Sequence, residues 1–310
     1  MNQPSKPKRF DRIVDGIILL DKPQGMSSNA ALQRVRVLLR ALKAGHAGSL
    51  DPLATGMLPL CFGQATKVCN YLLDSRKTYQ VTARLGIRTD SADADGSVIE
   101  RRDVPVFDEA QIAHALQSFL GVQQQVPPMY SALKHQGQRL YELARAGETV
   151  EREPREIIIE HIQLLLHDAQ HIAFEVRCSK GTYIRSLVED VAERLGTIAH
   201  VTQLRRTQVD PFVENQMMTL EQLEHLATLG LPALDNCMLA SDAALSRLPE
   251  IKLDEIQTVH LLHGRSVCGI DAVPGLTRAY GADDVFLGLV TVDLCGKALP
   301  ERLFVNSVTQ

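Results

Sequence analysis

The chain has 310 residues, of which 45% are hydrophobic and 23% charged, with a formal net charge of −4; this is the composition of an ordinary globular protein with room for one large domain and a smaller one. No stretch is long and apolar enough to span a bilayer, and the polar, basic start at residues 1–9 is not followed by an apolar core of signal-peptide type, so a cytoplasmic protein is expected. The acidic total argues against wholesale coating of a polyanion, yet residues 1–50 hold nine Lys/Arg against three Asp/Glu and residues 151–250 nine against sixteen, so a basic face on an acidic protein is compatible with nucleic acid.

In chain order, Gly16-Ile17-Ile18-Leu19-Leu20 reads as a strand closing into the turn Asp21-Lys22-Pro23-Gln24-Gly25. Ser27 or Ser28 then caps a helix whose apolar face is Leu32, Val35, Leu38, Leu39 and Leu42, leaving Arg34, Arg36, Arg40 and Lys43 for solvent or RNA. The stretch from Gly45 to Gly56 packs three glycines, Asp51 and Pro52 into an irregular loop. Loops held by ordered neighbours are where catalytic groups concentrate, although Asp51-Pro52 taken alone is an ordinary turn starter. Met57 to Phe62 reads as a buried strand and Ala65 to Leu73 as a helix.

Lys77 to Gly86 alternates with period two, which puts Tyr79, Val81, Ala83 and Leu85 on one strand face and would by itself make Tyr79 a core residue. The loop Thr89 to Gly96 has acids at 90, 93 and 95, but it lacks the distant bidentate glutamate of a calcium loop and reads as solvated. Residues 108–119 suit a helix, and Gln123 to Tyr130 a connection. From Ser131 to Glu153, Lys134, His135, Gln138, Arg139, Tyr141 and Arg145 lie close together, a mix that suits either RNA contact or a surface helix hairpin. Ile157 to Leu166 and Ile172 to Cys178 read as a hairpin. Histidines 161, 167 and 171 fall on it without the cysteine or Glu-x-x-His pattern of a metal site, and the six scattered cysteines read as free thiols.

A glycine turn after Ser179-Lys180 leads into a helix from Ile184 through Leu195. Arg185 in its first turn opposes the helix dipole and therefore needs a partner, for which a buried carboxylate is suited. His200 to Thr207 reads as a strand. Beyond Pro232, a helix over Lys252 to His263 and short strands at Ser266 to Ile270, Val285 to Val292 and Ala298 to Val305 suggest a small β-barrel, with a boundary near 245–250.

Several of these segments, taken in series, resemble one family. The loop Gly45 to Gly56, Lys77-Thr78-Tyr79, Gly181-Thr182-Tyr183-Ile184-Arg185 and Leu204-Arg205-Arg206 are similar to motifs of the bacterial tRNA pseudouridine-55 synthases, the TruB family, as are Asp21-Lys22-Pro23 and Pro127 to Lys134. The resemblance covers roughly residues 12–215, and more weakly the tail.

It implies an α+β fold with a mixed, largely antiparallel central sheet flanked by helices and a small PUA-like β-barrel at the C-terminus. The implied divisions are a flexible basic segment 1–12, a catalytic domain 13–248 with an RNA-binding insertion at about 121–153, and an RNA-binding domain 249–310. The activity implied is isomerisation of a flipped uridine in the T loop of tRNA, without metal or cofactor, by a monomer needing no protein partner. In the implied site Asp51 is the nucleophile toward C1′ or C6, Arg185 pairs with it and keeps it ionised, and Tyr79 stacks on uracil and acts in proton transfer. Tyr183 and Leu204 line the pocket, Lys22 lies near it, and His46 contacts the RNA. Ala47, Ser49 and Asp210 depart from the family pattern without replacing a chemical group.

Two other readings compete. A noncatalytic RNA-binding module is motivated by the basic N-terminal segment and the terminal strands. An aspartate-nucleophile hydrolase is weakened because only one acid stands in a motif and no phosphate-binding glycine-lysine loop is present.

Overall fold

The computed structural model describes residues 10–131 and 133–304. The basic run expected at 1–9, Ala132 and the last strand's expected end at Val305 fall outside them. The first half contains β1 (Gly16–Lys22), α1 (Ser28–Leu39), β2 (Ala44–His46), β3 (Thr55–Phe62), α2 (Cys69–Asp74), β4 (Lys77–Leu85), β5 (Ile87–Thr89), β6 (Val98–Arg101), α3 (Glu109–Gln117), β7 (Gly121–Gln125), β8 (Lys134–His135), β9 (Gln138–Arg139) and α4 (Leu140–Arg145). The second half adds β10 (Arg155–His167), β11 (His171–Cys178), α5 (Ile184–Arg194), β12 (Ala199–Val209), β13 (Met218–Thr219), α6 (Leu220–Thr228), α7 (Leu231–Asp235), β14 (Glu250–Lys252), α8 (Glu255–Leu262), β15 (Gly275–Tyr280), β16 (Phe286–Val292) and β17 (Ala298–Leu303).

A nine-stranded sheet runs β13-β1-β3-β12-β4-β11-β10-β7, with β2 beside β3. β1 with β13 and β3 with β12 are parallel and the other pairs antiparallel, so the expected α+β class with a mixed, largely antiparallel sheet holds. The part of β1 from Gly16 to Leu20 is an unbroken apolar run because both its faces are covered. Ile18 and Leu20 point to a core built with Leu32, Val35 and Leu39 of α1 and Leu187, Val188 and Val191 of α5. Ile17 and Leu19 point to a second core shared with Val68, Leu72, Leu289 and Phe304, so the C-terminal segment closes the other face of the sheet.

Ser27 caps α1 as expected, its hydroxyl accepting from the Ala30 N–H at 3.2 Å, but the helix stops at Leu39, where Arg40 takes a left-handed conformation, and Leu42 lies beyond it. The basic side of α1 is largely tied up within the chain. Arg34 pairs with Glu224 at 2.7 Å, Arg36 donates to the Ala41 and Leu42 carbonyls at 2.9 and 2.7 Å, and Arg40 pairs with Asp11.

Three other expectations change. The segment 63–68 is a 3-10 turn, and α2 begins only at Cys69. The expected connection from Gln123 begins inside β7, which pairs with the first half of β10; the polar run Gln123-Gln124-Gln125 hides this because its strand character comes from an edge partner. In the tail, β14-β15-β16-β17 form a four-stranded sheet. β15 is absent from the sequence reading because its buried positions are only Thr277 and Ala279, whereas 266–270 supplies a single bridge, Val267 to Ala298.

Gly56, the second residue of β3, has φ +97°, and a Cβ there would lie 2.3 Å from the Arg206 carbonyl oxygen of β12. Backbone strain and overlap act together, so Gly56→Ala is expected to cost about 3 kcal/mol or more in urea unfolding. An unchanged midpoint would show that the two strands separate freely.

Candidate active site

The loop between β2 and β3 is fastened from within. Leu50, Leu53 and Ala54 are buried, and the Ser28 hydroxyl accepts from the Leu50 N–H at 2.7 Å and donates to the Leu50 carbonyl at 3.0 Å. The Asp51 carbonyl accepts from the Ala54 N–H at 3.1 Å, so Asp51-Pro52 is a turn as well as a motif. The Pro52 carbonyl accepts from the Gly25 N–H at 2.7 Å and from Lys22 Nζ at 3.4 Å. What the loop leaves outward is the Asp51 carboxylate, 42% exposed.

Arg185, the second residue of α5, is buried, with the dipole against it. Its guanidinium is satisfied on all sides. Nε lies 2.9 Å from Asp51 Oδ2 and 3.8 Å from Asp93 Oδ2, while Nη1 donates to the Ser91 carbonyl at 2.7 Å and Nη2 to the Tyr130 carbonyl at 2.6 Å. The carboxylate partner expected from the dipole is thus present twice. Burial nevertheless pushes the Asp51 carboxyl above its ordinary range; Arg185 opposes this and Asp93 adds to it. Arg185 therefore favours the ionised form, as expected, but does not win over burial.

The charge of Asp51 is felt by Lys22, Tyr79 and Tyr183. Lys22 is fully buried, and Nζ donates to the Pro23 and Met26 carbonyls at 2.8 and 2.7 Å. Burial lowers it to about 8, with Asp51 acting to raise it. Tyr79 on β4 is half-buried, and burial raises its phenol while Arg206 opposes the shift. Tyr183 caps α5, where its N–H donates to Gln125 Oε1 at 2.7 Å and its carbonyl accepts from Gln125 Nε2 at 3.0 Å. Leu204 of β12 is buried in the core across from Val81 of β4. His46 ends β2, and its Nδ1 is buried without a partner among the described residues. Burial, then Arg206, lowers the imidazole, which favours its neutral form near pH 7. If the Asp51 carboxylate is the reacting group, the rate falls as pH drops, with a midpoint above the ordinary carboxylate value because the folded carboxyl is raised. Single-turnover rates across the acid range check this.

Comparison with known proteins gives the fold and site a lineage. Residues 36–184 match the family model of the TruB family pseudouridylate synthase N-terminal domain, residues 185–246 a tRNA pseudouridylate synthase B C-terminal domain, and residues 249–304 a C-terminal domain of pseudouridine synthase II TruB. The tRNA pseudouridine synthase B of Stutzerimonas stutzeri is 51% identical over 298 residues, covering 96% of this chain and 97% of that protein. The chain belongs to the TruB family of pseudouridylate synthases. The enzyme of the same name from Pasteurella multocida is 49% identical over 306 residues, covering 98% of this chain and 99% of that protein. Among solved structures, a Cbf5-Nop10-Gar1 complex aligns with a TM-score of 0.71 at 25% identity, over 94% of this chain and 85% of that one.

In this TruB-family chain the site spans a seam between matched segments, because Asp51 and Tyr79 precede residue 184 and Arg185 and Leu204 follow it. Three contributors escape the sequence reading. Asp93 is not solvated but buried, its carboxylate accepting from Ser91 Oγ at 2.5 Å and from the Asp95 N–H at 3.2 Å. The loop folds inward because the Ala94 N–H donates to the Val201 carbonyl of β12 at 2.9 Å, a pairing that its acidic composition conceals. Gln125 falls in the segment that the sequence reads as a connection, and Arg206 stands in the sequence only as the last residue of the Leu204-Arg205-Arg206 motif. The only available signal for Asp93 was Arg185 itself, a helix-start cation in need of negative partners.

Proposed function

We propose that this TruB-family isomerase converts uridine 55 in the T loop of tRNA to pseudouridine, with Asp51 as nucleophile. The observation that carries the reading is the Asp51–Arg185 ion pair, with the carboxylate turned outward and its charge felt by Lys22, Tyr79 and Tyr183. The relatives' name supports tRNA as substrate. The reaction needs no co-reactant: the N1–C1′ bond breaks, C5 bonds to C1′, C5 loses its proton and N1 gains one. Asp51 attacks C1′ or C6 of the extruded nucleotide, and Arg185 fixes its rotamer. Tyr79 stacks on the uracil and takes part in proton transfer, Tyr183 and Leu204 form the walls, Lys22 holds the loop from beneath, and the unpartnered Nδ1 of His46 meets the RNA.

On this reading residues 13–248 form the catalytic domain, with the insertion at about 121–153 touching RNA, and 249–310 form a PUA-like RNA-binding domain of a monomeric cytoplasmic enzyme. Leu289 and Phe304 share a core with β1, so the tail is also part of the fold that supports the site. The test uses the full chain and a tRNA transcript carrying C5-tritiated uridine. Tritium release equivalent to one uridine is expected, with none above background once uridine 55 alone is replaced by cytidine. Equal release from both transcripts would overturn the position, and no release from either would overturn the activity.

A further inference from the structure

Arg206 is the largest of the fully buried side chains, 1% exposed, and no carboxylate pairs with it among the described residues. An unpaired buried cation is costly, so its persistence calls for a task that a neutral side chain would not perform. Its Nε donates to the Met57 carbonyl at 2.7 Å and its Nη2 to the Gly48 carbonyl at 2.9 Å, one acceptor on each side of Asp51. A Cβ at Gly48, where φ is +84°, would stand 3.3 Å from Nη1, so a side chain there would crowd the guanidinium. On β12 Arg206 is in register with Gly56 of β3 on one side and Tyr79 of β4 on the other. It therefore bridges the strand that carries the loop and the strand that carries the phenol, and its charge acts on the Tyr79 hydroxyl.

We propose that Arg206 is a positioning residue for the isomerisation, its forked guanidinium holding the Gly48–Met57 segment that presents Asp51 in fixed relation to Tyr79 on the paired strand. The proposal rests on the reading of Tyr79 as a participant in proton transfer. The planar fork reaches the Met57 carbonyl on β3 and the Gly48 carbonyl in the loop at once, which one ammonium on a flexible stem does not reproduce. Its charge also favours the phenolate against the burial that disfavours it, so the hydroxyl gives up its proton at less cost. Lys22 and His46 lie in the same field, which lowers both and so favours their neutral forms.

Arg206→Lys, Tyr79→Phe and the double variant separate these roles, measured as single-turnover rate at saturating enzyme together with affinity for unmodified tRNA. Arg206→Lys keeps the buried charge and serves where Arg206→Gln fails to fold. We expect Arg206→Lys to lower the saturating rate about tenfold or more with affinity changed less than about threefold, and to add less than about twofold in the Tyr79→Phe background. A full additional loss in that background would overturn the proposal, as would a change in affinity alone or no change in rate. A Tyr79→Phe variant with unaltered rate would instead overturn the reading of Tyr79 on which it rests.

Discussion

Asp51→Asn is expected to lower tritium release from tRNA by more than about 10⁴-fold, because an amide neither attacks carbon nor stabilises a developing cation as a carboxylate does. The fold should survive. Asparagine keeps the backbone bond from the Ala54 N–H to residue 51, and Leu50, Leu53 and Ala54 keep the loop buried. The charge contribution has a definite sign. Burial raises the folded carboxyl above its unfolded value, so the ionised form at neutral pH works against folding, and the amide removes that penalty while giving up the contact with Arg185. With the carboxylate 42% exposed, solvent screens both effects, and the net change in stability should stay within about 1 kcal/mol by urea titration. Turnover close to the parent's would refute the role of Asp51. A large stability loss with modest loss of rate would make Asp51-Pro52 chiefly a structural turn.

Most of this architecture was legible because the fold and the site leave different marks. β1, β4 and the β10–β11 hairpin announce themselves by apolar runs or alternation, since burial of one or both faces constrains residue type directly. β7 and β15 do not, because their order comes from neighbouring strands. Among the proposed site residues, Asp51 and Tyr79 were legible only as motifs and Arg185 also as a cation set against a helix dipole, and the pairing of Asp51 with Arg185 depends on a contact across the sequence separation between the loop and α5. Asp93 shows the limit most clearly. Local composition assigns three acids in eight residues to solvent, and only the bridge to Val201 on β12 turns one of them inward against Arg185.

Removing Arg185 should damage both catalysis and folding. In Arg185→Ala the buried Asp93 carboxylate loses its cation, and the Ser91 and Tyr130 carbonyls lose their donors, so a loss of about 3–5 kcal/mol is expected. Arg185→Lys restores one charge but cannot serve two carboxylates and two carbonyls together, so the protein should fold while the single-turnover rate falls about 100-fold or more. Affinity for tRNA should change little, because the guanidinium is buried and faces protein on every side. Loss of affinity with normal saturating turnover would make Arg185 a phosphate contact instead. Asp93→Asn isolates the electrostatics: the side chain is buried, so it touches no RNA, and its shape is retained. If Arg185 acts by being held between two carboxylates, this variant should also slow turnover at unchanged affinity. A silent Asp93→Asn would mean that Asp51 and the two backbone carbonyls hold the guanidinium unaided.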